Sequence, residues 1–178
     1  TSNVQDMSGM FNNCYELASL DVSNFDTSKV ETMCSMFGNC DHLDRLDLSS
    51  FDTSNVTNMN DMFHDCYRLT TLDLSNFDTS KVTVMGGMFY ECERLTELDL
   101  SNFDTSNVTD MRDMFYGCSN LTTIKGVIDM KSCTEENYYF MFYKSPNLKD
   151  VKIKNPPADT DWWKKAGFRS ESQFTVVS

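Results

Sequence analysis

Residues 51–76 read FDTSNVTNMNDMFHDCYRLTTLDLSN. The same residue types return every 26 positions: Cys14, Cys40, Cys66, Cys92 and Cys118; Phe25, Phe51, Phe77 and Phe103; Val4, Val30, Val56, Val82 and Val108. A fixed period of this length marks a solenoid, in which each repeat buries its apolar face only against its neighbours. Two shorter periods lie inside one repeat. Val30, Met33, Met36, Phe37, Cys40 and Leu43 follow at steps of 3, 3, 1, 3 and 3. At about 100° per residue they form one apolar stripe, which predicts a short helix. Leu46, Asp47 and Leu48 alternate inward and outward, which predicts a short strand. Phe51, Asp52, Thr53 and Ser54 between them carry turn and helix-capping chemistry.

Working outward, full coils lead up to Leu20, Leu46, Leu72, Leu98 and Ile124. The period then slips by one, because Met141 and Phe142 lie 27 after Met114 and Phe115. The stretch from Lys125 to Tyr139 loses the turn motif and reads as an irregular connection, and a divergent last coil runs through Leu148, Val151 and Ile153. Pro156 and Pro157 stop it. The expected fold is an α/β solenoid of about six 26-residue repeats over residues 1–154, each a short parallel strand plus a short helix. Residues 155–178, with Trp162, Trp163, Phe168 and Phe174, read as a C-terminal cap over the open apolar end.

The chain carries 27 Asp and Glu against 15 Lys and Arg, a net charge of −12. That balance argues against a nucleic-acid or anionic-membrane partner, both of which select clustered Lys and Arg. No apolar run approaches the ~20 residues of a membrane span, and no leader peptide is recognisable. The chain opens with Thr1, Ser2, Asn3 and Val4, the middle of a repeat, which predicts a piece of a longer protein with any signal or anchor elsewhere.

The motif MFxxCxxLxxLDLSxFDTSxV stands at Met36, Phe37, Cys40, Leu43, Leu46, Asp47, Leu48, Phe51, Asp52, Thr53, Ser54 and Val56, and recurs through Val108. It resembles the BspA-like leucine-rich repeat, a 26-residue repeat of bacterial surface proteins. The resemblance implies a right-handed leucine-rich-repeat coil, an extracellular or cell-surface location, and adhesion to a host protein, a partner cell or a glycan. It implies no catalytic residues and no cofactor.

The candidate ligand-binding residues lie on two faces. Tyr90, Tyr116 and Tyr143 share one repeat position, and Tyr67 stands just after a column cysteine. Exposed tyrosine gives contact area at low entropic cost. On the strand face Asp47, Asp73 and Asp99 point outward, joined toward the end by Lys125 and Lys152. Parallel strands lie about 4.8 Å apart, so the column Asp21, Asp47, Asp73 and Asp99 repels itself by roughly 1 kcal/mol per pair in water. Solvation with hydrogen bonds from Ser23, Ser49, Ser75 and Ser101, or a bound Ca²⁺, offsets that repulsion. The cysteine column reads as a ladder of small buried groups, because helices in adjacent coils about 8–10 Å apart are too distant for disulfides. Cys34 falls on a position expected at the surface, and no spacing suits a metal site. His42 and His64 occupy unrelated repeat positions, with no nucleophile in register.

The leading expectation is a non-catalytic surface-displayed binding or adhesion module with a protein, glycan or partner cell as ligand. The alternative is a structural spacer or stalk that presents another domain of a longer surface protein. An enzyme is the weakest of the three readings, since only the irregular stretch from Lys125 to Tyr143 has room for a pocket.

Overall fold

The computed structural model describes residues 1–134 and 136–178. Its defining contact is lateral. Asp6 bridges Thr32, Thr32 bridges Asn58, Asn58 bridges Val84 and Val84 bridges Asp110, all in parallel. Successive 26-residue segments therefore lie side by side in register. Between two of them, the N–H groups of Met33, Ser35, Phe37 and Asn39 donate to the carbonyls of Asn58, Asn60, Met62 and His64 at 2.8–3.0 Å.

The short helix expected in each repeat is not formed; turns take its place. Met36, Gly38 and Cys-position N–H groups close local turns, with Met36 donating to Met33 O and Gly38 to Ser35 O. Alternate N–H groups are thus shared between a turn and the neighbouring segment. An α-helix would send every N–H inward along its own axis and leave none for the neighbour. Two left-handed residues per segment enforce the change, such as Ser35 and Asn39 (φ 52° and 54°), then Asp61 and Asp65 (φ 54° and 57°). Asn, Asp and Gly tolerate that region best.

The lateral ladder also corrects the spacing of the segments. Phe37, Phe63, Phe89, Phe115 and Phe142 stack with ring centroids 5.5–5.9 Å apart. That is closer than the separation of packed helices, so distance alone does not keep the cysteine column apart. All seven cysteines are nonetheless free thiols. Cys40, Cys66, Cys92 and Cys118 line up in the core, each thiol donating to the carbonyl of Phe11, Phe37, Phe63 and Phe89 respectively at 3.0–3.3 Å. In the last coil Ser145 takes the same place and donates to Phe115 O at 2.6 Å. Burial pushes the Cys40 thiol up to about 11 and raises those of Cys66, Cys92 and Cys118 as well. Cys34, expected at the surface, is half-buried.

A second ladder runs along the turn motif. The buried Thr27 hydroxyl donates to Asp52 O and accepts from Asp52 N–H. Thr53 does the same with Asp78, Thr79 with Asp104, and Thr105 with Asp129, all at 2.7–3.1 Å. One hydroxyl thus satisfies a donor and an acceptor that the core would otherwise strand.

Strands are assigned only toward the C-terminal end. Parallel β1 (Glu97–Asp99) and β2 (Thr123–Lys125) pair 26 residues apart, and β3 (Val127–Asp129) and β4 (Val151–Lys154) pair 25 apart. Gly126, between β2 and β3, sets this offset; at φ +99° a Cβ there would lie 2.5 Å from Leu100 O. The irregular connection expected here therefore contains a strand of its own. Beyond β4, helix α1 (Trp162–Lys165) and strand β5 (Phe174–Val177) close the end. Phe168 stacks on Phe142 at 4.3 Å, and Trp162 is buried against Phe174 at 5.0 Å. The carbonyls of Lys165 and Ala166 accept the last ladder N–H groups, from Phe140 and Phe142. Parallel pairing of β5 with β4 adds a strand to the cap that the sequence pattern did not predict. Among the described residues no helix is long and apolar enough to cross a membrane.

The hydroxyl ladder makes a measurable prediction. Thr79→Val keeps the shape but strands the N–H and C=O of Asp104, and should cost about 2–4 kcal/mol. Thr79→Ser should cost much less. Urea melts of the two variants check this, and equal losses would show that the hydroxyl is not what matters.

Candidate functional site

Three tyrosines form a ladder on one face, Tyr143 exposed and Tyr90 and Tyr116 half-buried. One column of the stack reads Asn12, Gly38, His64, Tyr90, Tyr116 and Tyr143. The close spacing of segments forces its aromatic members into contact. Tyr90 and Tyr116 stack at 4.7 Å with planes 6° apart, and Tyr116 meets Tyr143 at 5.6 Å and 38°. Phe140, 51% exposed, abuts Tyr143, 47% exposed, edge-on at 5.7 Å. The Lys144 ammonium sits 4.9 Å above the Tyr116 ring. Ring faces are consumed by ring neighbours, so the ladder offers edges and hydroxyls to a partner. Tyr67 stands apart from this ladder. Its hydroxyl donates to Asp65 at 3.0 Å, and burial together with that carboxylate pushes its pKa up to about 12.

Beside Tyr90 lies a polar notch of about 360 Å³, lined by Asp61, His64, Gly87, Asp110, Arg112 and Asp113 among others. Gly87 opens it: the Asp61 carboxylate leans into the space a side chain would fill, with Oδ1 2.0 Å from the position of a Cβ. Burial raises the carboxyls of Asp61 and Asp113 above the ordinary range. Arg112 is held by Asp110 at 2.6 Å. The sequence reading missed this notch; its signal was the adjacent pair Gly86 and Gly87 inside a repeat.

On the strand face, Asp47, Asp73 and Asp99 are exposed and in a column, as expected, but each carboxylate is already engaged. Oδ1 of Asp21, Asp47, Asp73 and Asp99 accepts from the N–H of Ser23, Ser49, Ser75 and Ser101 at 2.9–3.0 Å. These bonds hold all four carboxyls below their ordinary value. For Asp47 and Asp73 the serine N–H is the larger cause and the hydroxyl the second; for Asp21 and Asp99 the order reverses. Repulsion from Asp21 on Asp47, and from Asp47 and Asp99 on Asp73, is the weaker effect. The same turn recurs at Asp52 and Ser54, and at Asp78 and Ser80. Among the described residues no group of three or more His, Cys, Asp or Glu is placed to hold a metal ion, the Asp column proposed for Ca²⁺ included.

Lys125 replaces the column aspartate opposite Asp99, and its ammonium pairs with Glu97 and lies 4.0 Å from Asp99. Lys152 is exposed with no ion pair among the described residues. His42 faces Glu16 and His64 faces Asp65, each at 3.2 Å, so neither imidazole meets a nucleophile. The structure thus gathers Tyr90, Tyr116 and Tyr143 on one face, brings Lys125 and Lys152 to one cleft on another, and leaves Tyr67 by itself.

A tandem-repeat array emerges, whose surface is written in columns of one residue per segment. The chain belongs to the family described as Mycoplasma protein of unknown function, DUF285, matched over residues 1–72 and 47–155. No curated protein matches the chain.

Two tests follow from this geometry. A depressed carboxyl stabilises the fold fully above its unfolded pKa, about 3.9, and the contribution is lost as pH falls through the lower folded value. Asn58 already accepts the Asn60 N–H at 2.9 Å in the manner of Asp73, so Asp73→Asn keeps the turn and removes its titration. The variant should lose less stability than the parent between pH 6 and about pH 3, measured by urea melts; a parallel loss would exclude this carboxyl. Gly87→Ala should cost about 1–2 kcal/mol, because alanine is strained at positive φ and displaces Asp61. Thermal denaturation reads the loss, and Asp61→Ala in the same chain should recover part of it.

Proposed function

We propose that this chain is a non-catalytic, surface-displayed binding module, built as a right-handed leucine-rich-repeat solenoid of the BspA-like kind. The in-register segments and the repeat family support the architecture. The surface location rests on the likeness of the repeat to those of bacterial surface proteins. The observation that carries the binding role is the ladder of Tyr90, Tyr116 and Tyr143, extended by exposed Phe140.

A rigid row of aromatic edges with a polar notch at its side is the anatomy of a protein-binding patch. Sugar recognition by aromatic residues needs free ring faces, and here neighbouring rings cover them. A protein partner is therefore the favoured ligand for this face. One observation favours the second reading, a spacer that carries another domain. The acidic strand column is constant and its carboxylates are tied into turns, as in a surface maintained for stability.

An array of matrix proteins, cell-surface proteins and glycans tests the proposal. A protein ligand should be found whose affinity falls at least about tenfold with Tyr116→Ala and Tyr143→Ala combined, as expected for central aromatic anchors, at a temperature where circular dichroism shows the variant still folded. Undiminished binding by that variant would remove the tyrosine face, and an array without any ligand would favour the spacer.

A further inference from the structure

Charge is unevenly distributed along the stack. Residues 1–120 carry six Lys and Arg against 20 Asp and Glu, net −14, while residues 121–178 carry nine against seven, net +2. On the strand face the change is abrupt. The cleft over the middle coils is lined by Asp47, Asp73, Glu97 and Asp99, with Arg45 at its edge. The next cleft along, about 660 Å³, is lined by Thr122, Thr123, Lys125, Lys149 and Lys152, with Gly126 at its floor.

Lys149 and Lys152 are exposed, and their ammonium groups have no hydrogen bond or ion pair among the described residues; neither does that of neighbouring Lys154. Asp150 is the acidic residue of the cleft, and it accepts the Thr175 hydroxyl at 2.9 Å. Thr122 and Thr123 line the same cleft as the lysines. The Thr122 hydroxyl donates to Thr96 O at 3.0 Å and keeps its acceptor side for a ligand. The apolar side chain of the lining, Ile124, is buried. In a chain this acidic, uncompensated lysines repel one another with nothing in the fold to hold them.

We propose that this cleft binds an acidic polysaccharide, its sulfate or carboxylate groups seated on Lys149 and Lys152 and its hydroxyls on Thr122 and Thr123. A protein ligand would need a buried apolar anchor, and the cleft supplies none. An extended glycan polyanion needs only charge and hydrogen bonds, which the cleft does supply. Electrostatic focusing by the free lysines draws such a ligand away from the acidic coils. The proposal rests on the reading of the chain as a binding module, and not on the tyrosine ladder.

Titration calorimetry with a sulfated glycosaminoglycan oligosaccharide, a hyaluronan oligosaccharide, polyglutamate and neutral dextran tests it. The wild-type chain should bind the sulfated or the carboxylated oligosaccharide, more weakly as salt is added, and should not bind dextran. Lys149→Glu combined with Lys152→Glu should weaken binding at least about tenfold at unchanged melting temperature. Tyr116→Ala with Tyr143→Ala should leave glycan binding unchanged. Three outcomes would overturn the proposal: no binding of either acidic oligosaccharide at low salt, undiminished binding by the lysine variant, or polyglutamate binding as tightly as the glycans. If glycan binding fails while a tyrosine-dependent protein ligand persists, only this proposal falls; if both are absent, the binding reading falls with it.

Discussion

The structure depends on a sideways hydrogen bond. Alternate backbone N–H groups of each segment go to carbonyls of the next, and that sharing sets the distance between segments. Everything else conforms to it. The phenylalanines stack because the ladder brings their rings to about 5.7 Å. The cysteines meet carbonyls rather than one another because each thiol is displaced toward the preceding segment. The tyrosines touch for the same reason. A helical coil would have held these columns too far apart for any of these contacts.

The polar residues of the motif serve the same ladder from outside the core. Asparagine, aspartate, serine and threonine close hydrogen bonds that the tight winding leaves open. Asn76 donates to Leu48 O and Phe51 O, and Asn102 repeats this with Leu74 O and Phe77 O. The threonine hydroxyl bridges two backbone groups at once, and the aspartates fold the corners. Much of what looks like a charged surface is therefore structural chemistry facing outward. The columns depart from the consensus in two places, where Tyr90 follows His64 and Lys125 follows Asp99.

The period made the core legible. Val30, Met33, Met36, Phe37, Cys40 and Leu43, read as one apolar set, are all fully buried. The conformation joining them was not, because steps of three and four residues satisfy a helix and a succession of turns equally well. The distinguishing signal was Asn39, Asp65, Gly87 and Gly117, residue types suited to the left-handed region at fixed places in the repeat. Spacing also hid the notch, which exists only because Gly87 in one segment faces Asp61 in the one before. Lys149 escaped notice because the last coil lies 27 rather than 26 residues after the one before it, as Leu121 and Leu148 show, which moves it out of simple register with the earlier coils. The aspartate column was located correctly, yet its partners lie two residues ahead in the same chain rather than in a ligand.

Along the turn-forming stretch the ladder has a direction: the N–H groups of Met33, Ser35, Phe37 and Asn39 and their counterparts give forward to the next segment, until Lys165 and Ala166 of the cap take the last pair. The N–H groups of Glu31, Thr57, Thr83 and Thr109 give back to the segment before. A recombination event that adds or deletes one whole repeat between the first coil and the cap leaves each donor matched with an acceptor. The array can thus change length in steps of one repeat without stranding a backbone donor, while the cap keeps its fit to the final coil.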